Sequence, residues 1–207
     1  IIGQSGCGKS TLLHTIAKLC KITKGSIEFS TQHPKIGMIF QEPRLMPWLT
    51  VLQNVAFGLH TTEYSPQEKL DKVHKTLELV GLLDCQNSYP NQLSGGMKQR
   101  VSIARTLVSE PDLLLLDEPF SALDAFTKTI LQNELLSWWQ KSNGSTAIFV
   151  THDIEEAVLL GQRVLVMEHG KISNDLTIDL PYPREIDQLD VVKTRRFLIN
   201  QLSSKTL

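Results

Sequence analysis

Gly3-Gln4-Ser5-Gly6-Cys7-Gly8-Lys9-Ser10 is the stretch on which the reading of this 207-residue chain turns. It fits G-x-x-x-x-G-K-[ST] at every fixed position. The glycines let the backbone curl so that successive N–H groups point inward at phosphate oxygens. Lys9 is then placed to reach the β- and γ-phosphates of a nucleotide, and the Ser10 hydroxyl to ligate Mg²⁺. From Lys9 to Leu19, residues Leu12, Leu13, Ile16 and Leu19 recur on one side. That spacing predicts a helix, with Ser10 and Thr11 in its first turn and its positive end aimed at the same phosphates. In front of the loop, Ile1-Ile2 reads as the end of a strand expected in the middle of a sheet.

Outward from the loop, "GSIEF" (25–29) and "KIGMIF" (35–40) are short strand candidates. From Pro47 to about Val80 the pattern turns helical. Ser65-Pro66-Gln67-Glu68 is a capping box with proline at the first helical position. Leu70, Val73, Leu77 and Val80 follow at helical spacing, and Gly81 is placed to end that helix. The second half alternates. A helix opens near "SGGMKQRVSIARTLVS" (94–109), and "DLLLLDEP" (112–119) is an unbroken apolar run suited to a parallel strand covered on both faces. "KTILQNELLSWWQK" (128–141) reads as helix, "TAIFVTH" (146–152) as strand, and Asp153 to Leu160 as a short helix. "QRVLVMEHGKI" (162–172) reads as strand, a turn at His169-Gly170, and a further strand. The expected fold class is α/β: a mostly parallel sheet flanked by helices, with the 47–93 stretch as a helical insert.

Composition narrows the class. Hydrophobic residues make up 41% and the net charge is −1, which gives no electrostatic reason to expect nucleic acid as a partner. Cys7, Cys20 and Cys85 are odd in number and widely spaced, fitting neither a disulfide framework nor a zinc site, so a reducing compartment is expected. No apolar run reaches the roughly 18 residues of a membrane-spanning helix.

The acids come next. Asp117 and Glu118 close the leucine run, where a phosphate-loop enzyme needs one acid for the Mg²⁺ shell. The neighbouring Glu118 is placed to polarise an attacking water, general-base work typically worth ~10²–10⁴-fold. Ser94-Gly95-Gly96 at a helix start is either a simple N-cap or a second anion site built from free N–H groups and a hydroxyl. A second phosphate site on one chain makes sense if two copies face head to tail. His152 and Gln41 each end a strand candidate and are expected near the γ-phosphate.

Taken together, these motifs resemble the ATP-binding subunits of ABC transporters. Gly3 to Ser10 is similar to the Walker A loop, Gln41 to the Q-loop, and Leu93-Ser94-Gly95-Gly96-Met97 to the signature. Leu113 to Glu118 resembles Walker B with its catalytic glutamate, Ser121-Ala122-Leu123-Asp124 the D-loop, and His152 the switch histidine. Met97 departs from the commoner glutamine, with no loss expected because Ser94 and the backbone meet the phosphate.

The resemblance implies a P-loop NTPase fold of ABC type over 1–207, with a helical subdomain at about 47–108 inserted in a RecA-like core. Catalytic roles fall to Glu118, His152 and Gln41, and Mg²⁺ ligation to Ser10, Gln41 and Asp117. ATP is the implied substrate. The implied partners are a second ATP-binding subunit in a homodimer, two transmembrane permease subunits and a separate solute-binding protein, placing the chain peripherally on the cytoplasmic face of the cell membrane. "QEPRLMPWLTVLQNVAFGL" (41–59) and "DLPYPREID" (179–187) are similar to importers for nitrate, taurine and aliphatic sulfonates. In such proteins Glu42 to Trp48 would dock the membrane partner. A soluble ABC-type ATPase is the alternative, but two fused cassettes or a long coiled coil after Gln41 would mark it. A non-hydrolysing regulatory module would lack Lys9, Asp117, Glu118 or His152. The family also carries a further N-terminal antiparallel subdomain with an adenine-stacking aromatic, so the chain is expected to be truncated ahead of Ile1.

Overall fold

The computed structural model describes residues 1–142 and 144–203; Asn143 and residues 204–207, inside the span 1–207 expected as one domain, lie outside the described residues. In chain order the elements are α1 (Lys9–Ile16), β1 (Ile36–Ile39), α2 (Val51–Ala56), α3 (Pro66–Leu79), α4 (Gly95–Leu107), β2 (Leu113–Asp117), α5 (Ala125–Lys141), β3 (Thr146–Val150), α6 (Ile154–Leu160), β4 (Arg163–Glu168), β5 (Lys171–Thr177) and α7 (Leu189–Ser203). They form two compact units, one of Ile1–Ile27 with the chain from Ile148 onward, the other of Glu28–Ala147.

In the Glu28–Ala147 unit, β1 and β2 pair in parallel, from Ile36 opposite Leu113 to Ile39 opposite Leu116. Every residue of β2 is buried, as an unbroken apolar strand covered on both faces should be. The start of β3 joins through Thr146 N–H, which donates to Asp112 O (2.9 Å). Both α2 and α3 carry capping boxes, Thr50 with Gln53 on α2 and Ser65 with Glu68 on α3. Such caps each contribute roughly 1 kcal/mol by satisfying N–H groups that the helix leaves unpaired. Gly81 ends the α3 segment in the left-handed region (φ 62), which lets Leu82 N–H turn back onto Leu77 O (2.9 Å). Val55, Leu59, Leu77, Val101, Ala104 and Leu115 are fully enclosed.

In the other unit, Ile1-Ile2 lies between two strands. Ile1 N donates to Phe149 O (2.6 Å) and Thr151 N–H to Ile1 O (3.1 Å). On the other side Ile2 N–H donates to Leu165 O (2.9 Å) and Met167 N–H to Ile2 O (2.8 Å), a parallel bridge to β4. β5 then returns antiparallel to β4 through His169-Gly170, both with positive φ (48 and 76), the two-residue turn whose twist suits a hairpin. Ile2, Val158, Val164, Val166, Val191 and Leu198 form the buried centre. Arg184, 8% exposed, closes one end of it. Its guanidinium donates to the carbonyls of Val158 (2.7 Å), Gly161 (2.6 Å), Ile178 (3.3 Å) and, twice, Leu180 (3.1 and 2.8 Å). Tyr182, whose ring lies 4.2 Å from that guanidinium, donates its hydroxyl to Leu160 O (2.6 Å).

Several expectations are corrected. "GSIEF" forms no strand: a strand exists only through a ladder of backbone hydrogen bonds, and residues 25–29 are not part of either sheet. The first helix stops at Ile16 rather than Leu19. Lys18 takes a left-handed conformation (φ 61), and Leu19 N–H returns to His14 O (2.8 Å) with Lys18 N–H on Thr15 O (3.0 Å), a Schellman ending made without glycine. Leu19 is left 61% exposed. The helical run from Pro47 breaks between Leu59 and Ser65, and Leu70 is exposed while Val73, Leu77 and Val80 are buried.

Candidate functional site

Gly3 to Thr11 and His152 fall in the first unit; Gln41, the signature, Asp117, Glu118 and the D-loop fall in the second. The phosphate loop leaves the end of the Ile1-Ile2 strand and feeds α1. Gly3 sits so close to β4 that any Cβ there would collide with the Met167 carbonyl oxygen. Gly8 caps α1 from the left-handed region (φ 105) with no side-chain cap, so the first N–H groups of the helix are served by no hydroxyl or carboxylate of the cap residue. Lys9 is 6% exposed, and its ammonium donates to Gly3 O (2.8 Å) and Gln4 O (3.0 Å). Those are neutral acceptors around a buried cation, an arrangement that favours an incoming anion. The loop is closed by Cys7 N–H on Gln4 O (3.3 Å) and anchored to the β4–β5 turn by Gly170 N–H on Cys7 O (3.0 Å). Gln4, Ser5, Gly6, Ser10 and Thr11 are exposed, Cys7 half-buried.

His152 stands two residues past the end of β3 and is exposed. Because Thr151 N–H donates to Ile1 O, the strand carrying His152 and the strand carrying the loop are neighbours ending on the same side. The buried Thr151 hydroxyl donates to Glu156 and accepts from Asp153 N–H (2.9 Å), fixing the turn on which His152 stands. Sequence reasoning did not single out Glu156.

In the second unit, Asp117 ends β2 and is 6% exposed. Glu118 is half-buried and held at φ 46, a conformation that costs a non-glycine residue of order 1–3 kcal/mol and gathers at functional sites. Gln41 Nε2 lies 3.5 Å from Glu118 Oε2. Ser121 donates both its N–H (3.3 Å) and its hydroxyl (3.0 Å) to Glu118 O, so the D-loop grips the glutamate's own backbone. Asp124 caps α5 by accepting from Thr127 N–H (3.0 Å), and that bond holds its carboxyl below the usual aspartate range. Leu93 is buried, and Ser94 caps α4 by accepting from Met97 N–H (3.2 Å). Ser94 and Gly95 are exposed, and a Cβ on Gly96 would lie 3.2 Å from Leu123 of the D-loop. The N-cap reading of Ser94 is therefore realised, with its first turn open to solvent. Among the described residues no group of three or more His, Cys, Asp or Glu side chains is gathered for a metal ion.

A curled glycine loop around a buried lysine, leading from the end of a parallel strand into a helix, defines a P-loop nucleotide-binding domain. Residues 1–121 match the family model described as ABC transporter. An uncharacterized ABC transporter ATP-binding protein of Methanocaldococcus jannaschii is 44% identical over 214 residues, covering 100% of this chain and 80% of that protein. Aliphatic sulfonates import ATP-binding proteins are similarly related. That of Rhodopseudomonas palustris strain BisA53 is 48% identical, covering 98% of this chain and 72% of the relative. That of Bacillus subtilis is 47% identical, covering 97% and 80%. Among solved structures, a dimeric bacterial ABC transporter cassette superposes with a TM-score of 0.79 at 33% identity, over 87% of this chain and 84% of that one. A dimeric post-hydrolysis cassette bound to ADP and Pi gives 0.77 at 32%, with the same coverage. The chain belongs to the ABC transporter family: it is an ATP-binding subunit with that family's P-loop fold and ATPase activity.

Proposed function

We propose that the chain hydrolyses ATP as one of two identical subunits and thereby energises import of a small anion, of which an aliphatic sulfonate fits best. Nitrate and taurine are the neighbouring choices. The sulfonate preference is supported by relatives bearing that name at 47–48% identity over nearly the whole chain. Lys9 and the N–H groups of Gly6 to Thr11 hold the phosphates, and His152 stands by the γ-phosphate. Ser10, Gln41 and Asp117 would hold Mg²⁺. Their hydroxyl, amide and carboxylate oxygens are the hard donors that ion takes, usually one or two at a time with waters and phosphate oxygens. When bound, the ion would neutralise charge on the phosphates. Glu118 takes the proton of the attacking water and Gln41 orients it, with the partner's nucleotide met by Ser94 to Met97 and the D-loop of this chain. The observation that carries the hydrolytic reading is the approach of Gln41 to Glu118, with Ser121 fixing the glutamate's backbone.

In this reading, 47–108 is the helical subdomain within a RecA-like core, and Glu42 to Trp48 meets one of two transmembrane subunits. Trp48 is 71% exposed, whereas Leu45 and Met46 are half-buried. The buried Asn54 holds the loop rigidly, accepting from Met46 N–H (2.9 Å) and donating to the carbonyls of Met46, Leu49 and Thr50. A rigid loop presenting one large aromatic is suited to docking. Among the described residues no helix is long and apolar enough to cross a membrane, and the chain would act peripherally on the cytoplasmic face, with a separate binding protein selecting the solute. The test is complementation: in cells lacking the ATP-binding subunit of a sulfonate importer, the chain should restore growth on an alkanesulfonate as sole sulfur source, and Lys9→Ala should not. Assembly and ATP turnover without sulfonate-dependent growth would overturn the choice of solute.

A further inference from the structure

The exposed Gln41 projects from a short loop, and the base of that loop is gripped by one helix, α4. Gln99 Nε2 donates to Phe40 O (3.3 Å) on one side of Gln41. On the other side Arg105 donates through Nη2 to Pro43 O and through Nη1 to Arg44 O, both 2.9 Å. The loop is also folded on itself, since the Arg44 guanidinium lies 3.9 Å from the centre of the Phe40 ring, and Arg44 has φ 47. Both flanks of Gln41 are thus held by side chains six residues apart on the helix whose first turn is Ser94 to Met97.

Gln99 makes a costly choice for mere packing. It is fully buried, its bond to Phe40 O is long at 3.3 Å, and its Oε1 has no hydrogen-bond partner among the described residues. A leucine would fill similar space without leaving a buried acceptor unsatisfied, which costs stability. Such an exception in a packed helix calls for a task other than stability.

We infer that Gln99 and Arg105 are positioning residues: they clamp the Gln41 loop to α4, so that Gln41 is carried to or from Glu118 as the signature helix moves. The inference rests on the roles given above to Gln41 and Glu118. It makes α4 a single lever. Its N-terminal end meets the partner's nucleotide and its side chains set this chain's own water-orienting amide, so that the two sites fire in concert. With the clamp cut, Gln41 is no longer held 3.5 Å from the carboxylate, and the chemical step suffers more than nucleotide binding.

The test measures kcat and KM for Mg-ATP, the melting temperature and amide exchange in residues 38–46, in the full chain carrying Gln99→Leu or Arg105→Lys. Gln99→Leu removes the bond but keeps the core apolar; Arg105→Lys keeps the charge but loses the two-pronged grip. Expected are melting no lower than that of the wild type, wild-type KM, faster exchange confined to 38–46, and kcat lower by about ten- to a hundredfold, as for a misplaced orienting group. Unchanged kcat in both variants overturns the inference, as does a loss of kcat that follows a fall in melting temperature in both. Glu118→Gln is measured alongside. Normal turnover there removes the functional reading itself, whereas lost turnover there with normal Gln99 and Arg105 variants removes only the clamp.

Discussion

Arg184→Met would cut the guanidinium from four carbonyls while keeping most of the side chain's apolar packing. The structure gives the magnitude. Two of the five bonds, to Val158 O and Ile178 O, are buried, and the remainder are partly open to water. Each buried carbonyl left unsatisfied costs about 1–3 kcal/mol, and water can serve the others. Burial pushes the guanidinium pKa down, so releasing that cation returns part of the cost. A net destabilisation of about 1–5 kcal/mol results, the upper end being that of broken buried networks. For a chain of this length each kcal/mol shifts the melting temperature by about 2–4 °C, giving a fall of about 2–20 °C. Thermal unfolding followed by circular dichroism measures it, with Arg184→Lys expected to fall between variant and wild type. A wild-type melting temperature in Arg184→Met would refute the reasoning, because the carbonyls would then have other donors.

Glu118→Gln should bind ATP normally, lose most hydrolysis and accumulate an ATP-bound dimer, read by turnover and by size-exclusion chromatography with ATP. Alkylating Cys7 in a Cys20→Ser/Cys85→Ser protein should block nucleotide binding, with ATP protecting, because Cys7 lies within the phosphate loop, closing it through its N–H and anchoring it to Gly170 through its carbonyl; full activity after complete modification would contradict that geometry. Asp124→Ala should lower the melting temperature at neutral pH by uncapping α5. Since the folded carboxyl is held below its unfolded value, the cap contributes above the ordinary aspartate range and is lost as pH falls through the lowered value. The difference between Asp124→Ala and wild type should therefore shrink in acid; a constant gap would count against the cap.

What the sequence disclosed was local chemistry. The Ser65-Glu68 box, the Gly81 stop, the Ser94 cap and the His169-Gly170 turn each depend on a few adjacent residues, and each lies where expected; the Asp124 cap, ahead of the helix predicted from Lys128, was not foreseen. The four leucines of β2 were readable because burial on both faces leaves no alternation to interpret. Pairing was less legible. Residues 25–29 have the composition of a strand, but a ladder depends on a partner far away in the chain. The Schellman ending at Lys18 was hidden because lysine carries no signal for a left-handed conformation. The helix α7 was missed although Val191 and Leu198, seven apart, are its buried anchors; exposed Leu189, Phe197 and Ile199 blur the stripe. In the candidate site, the residues proposed for phosphate and water stand in sequence motifs, but the side chains that hold them in place do not. Gln99 and Arg105 act on backbone carbonyls far away in sequence, Glu156 on the nearby Thr151 hydroxyl, and no motif announces such contacts.

The strand beneath the phosphate loop has a consequence for the chain's birth. Ile1 pairs with residues 148 to 150 positions further on, and Ile2 with Leu165 and Met167. During synthesis at about 5–20 residues per second, those partners appear roughly 8–30 s after the loop itself. The intervening Glu28–Ala147 unit has its own parallel pair and helices, and can settle first. Until β3 and β4 emerge, the loop is an unanchored glycine-rich segment with no wall behind Gly3. A nascent subunit is therefore blind to ATP until β3 and β4 have been made, and nucleotide capture becomes a late checkpoint on folding rather than a template for it.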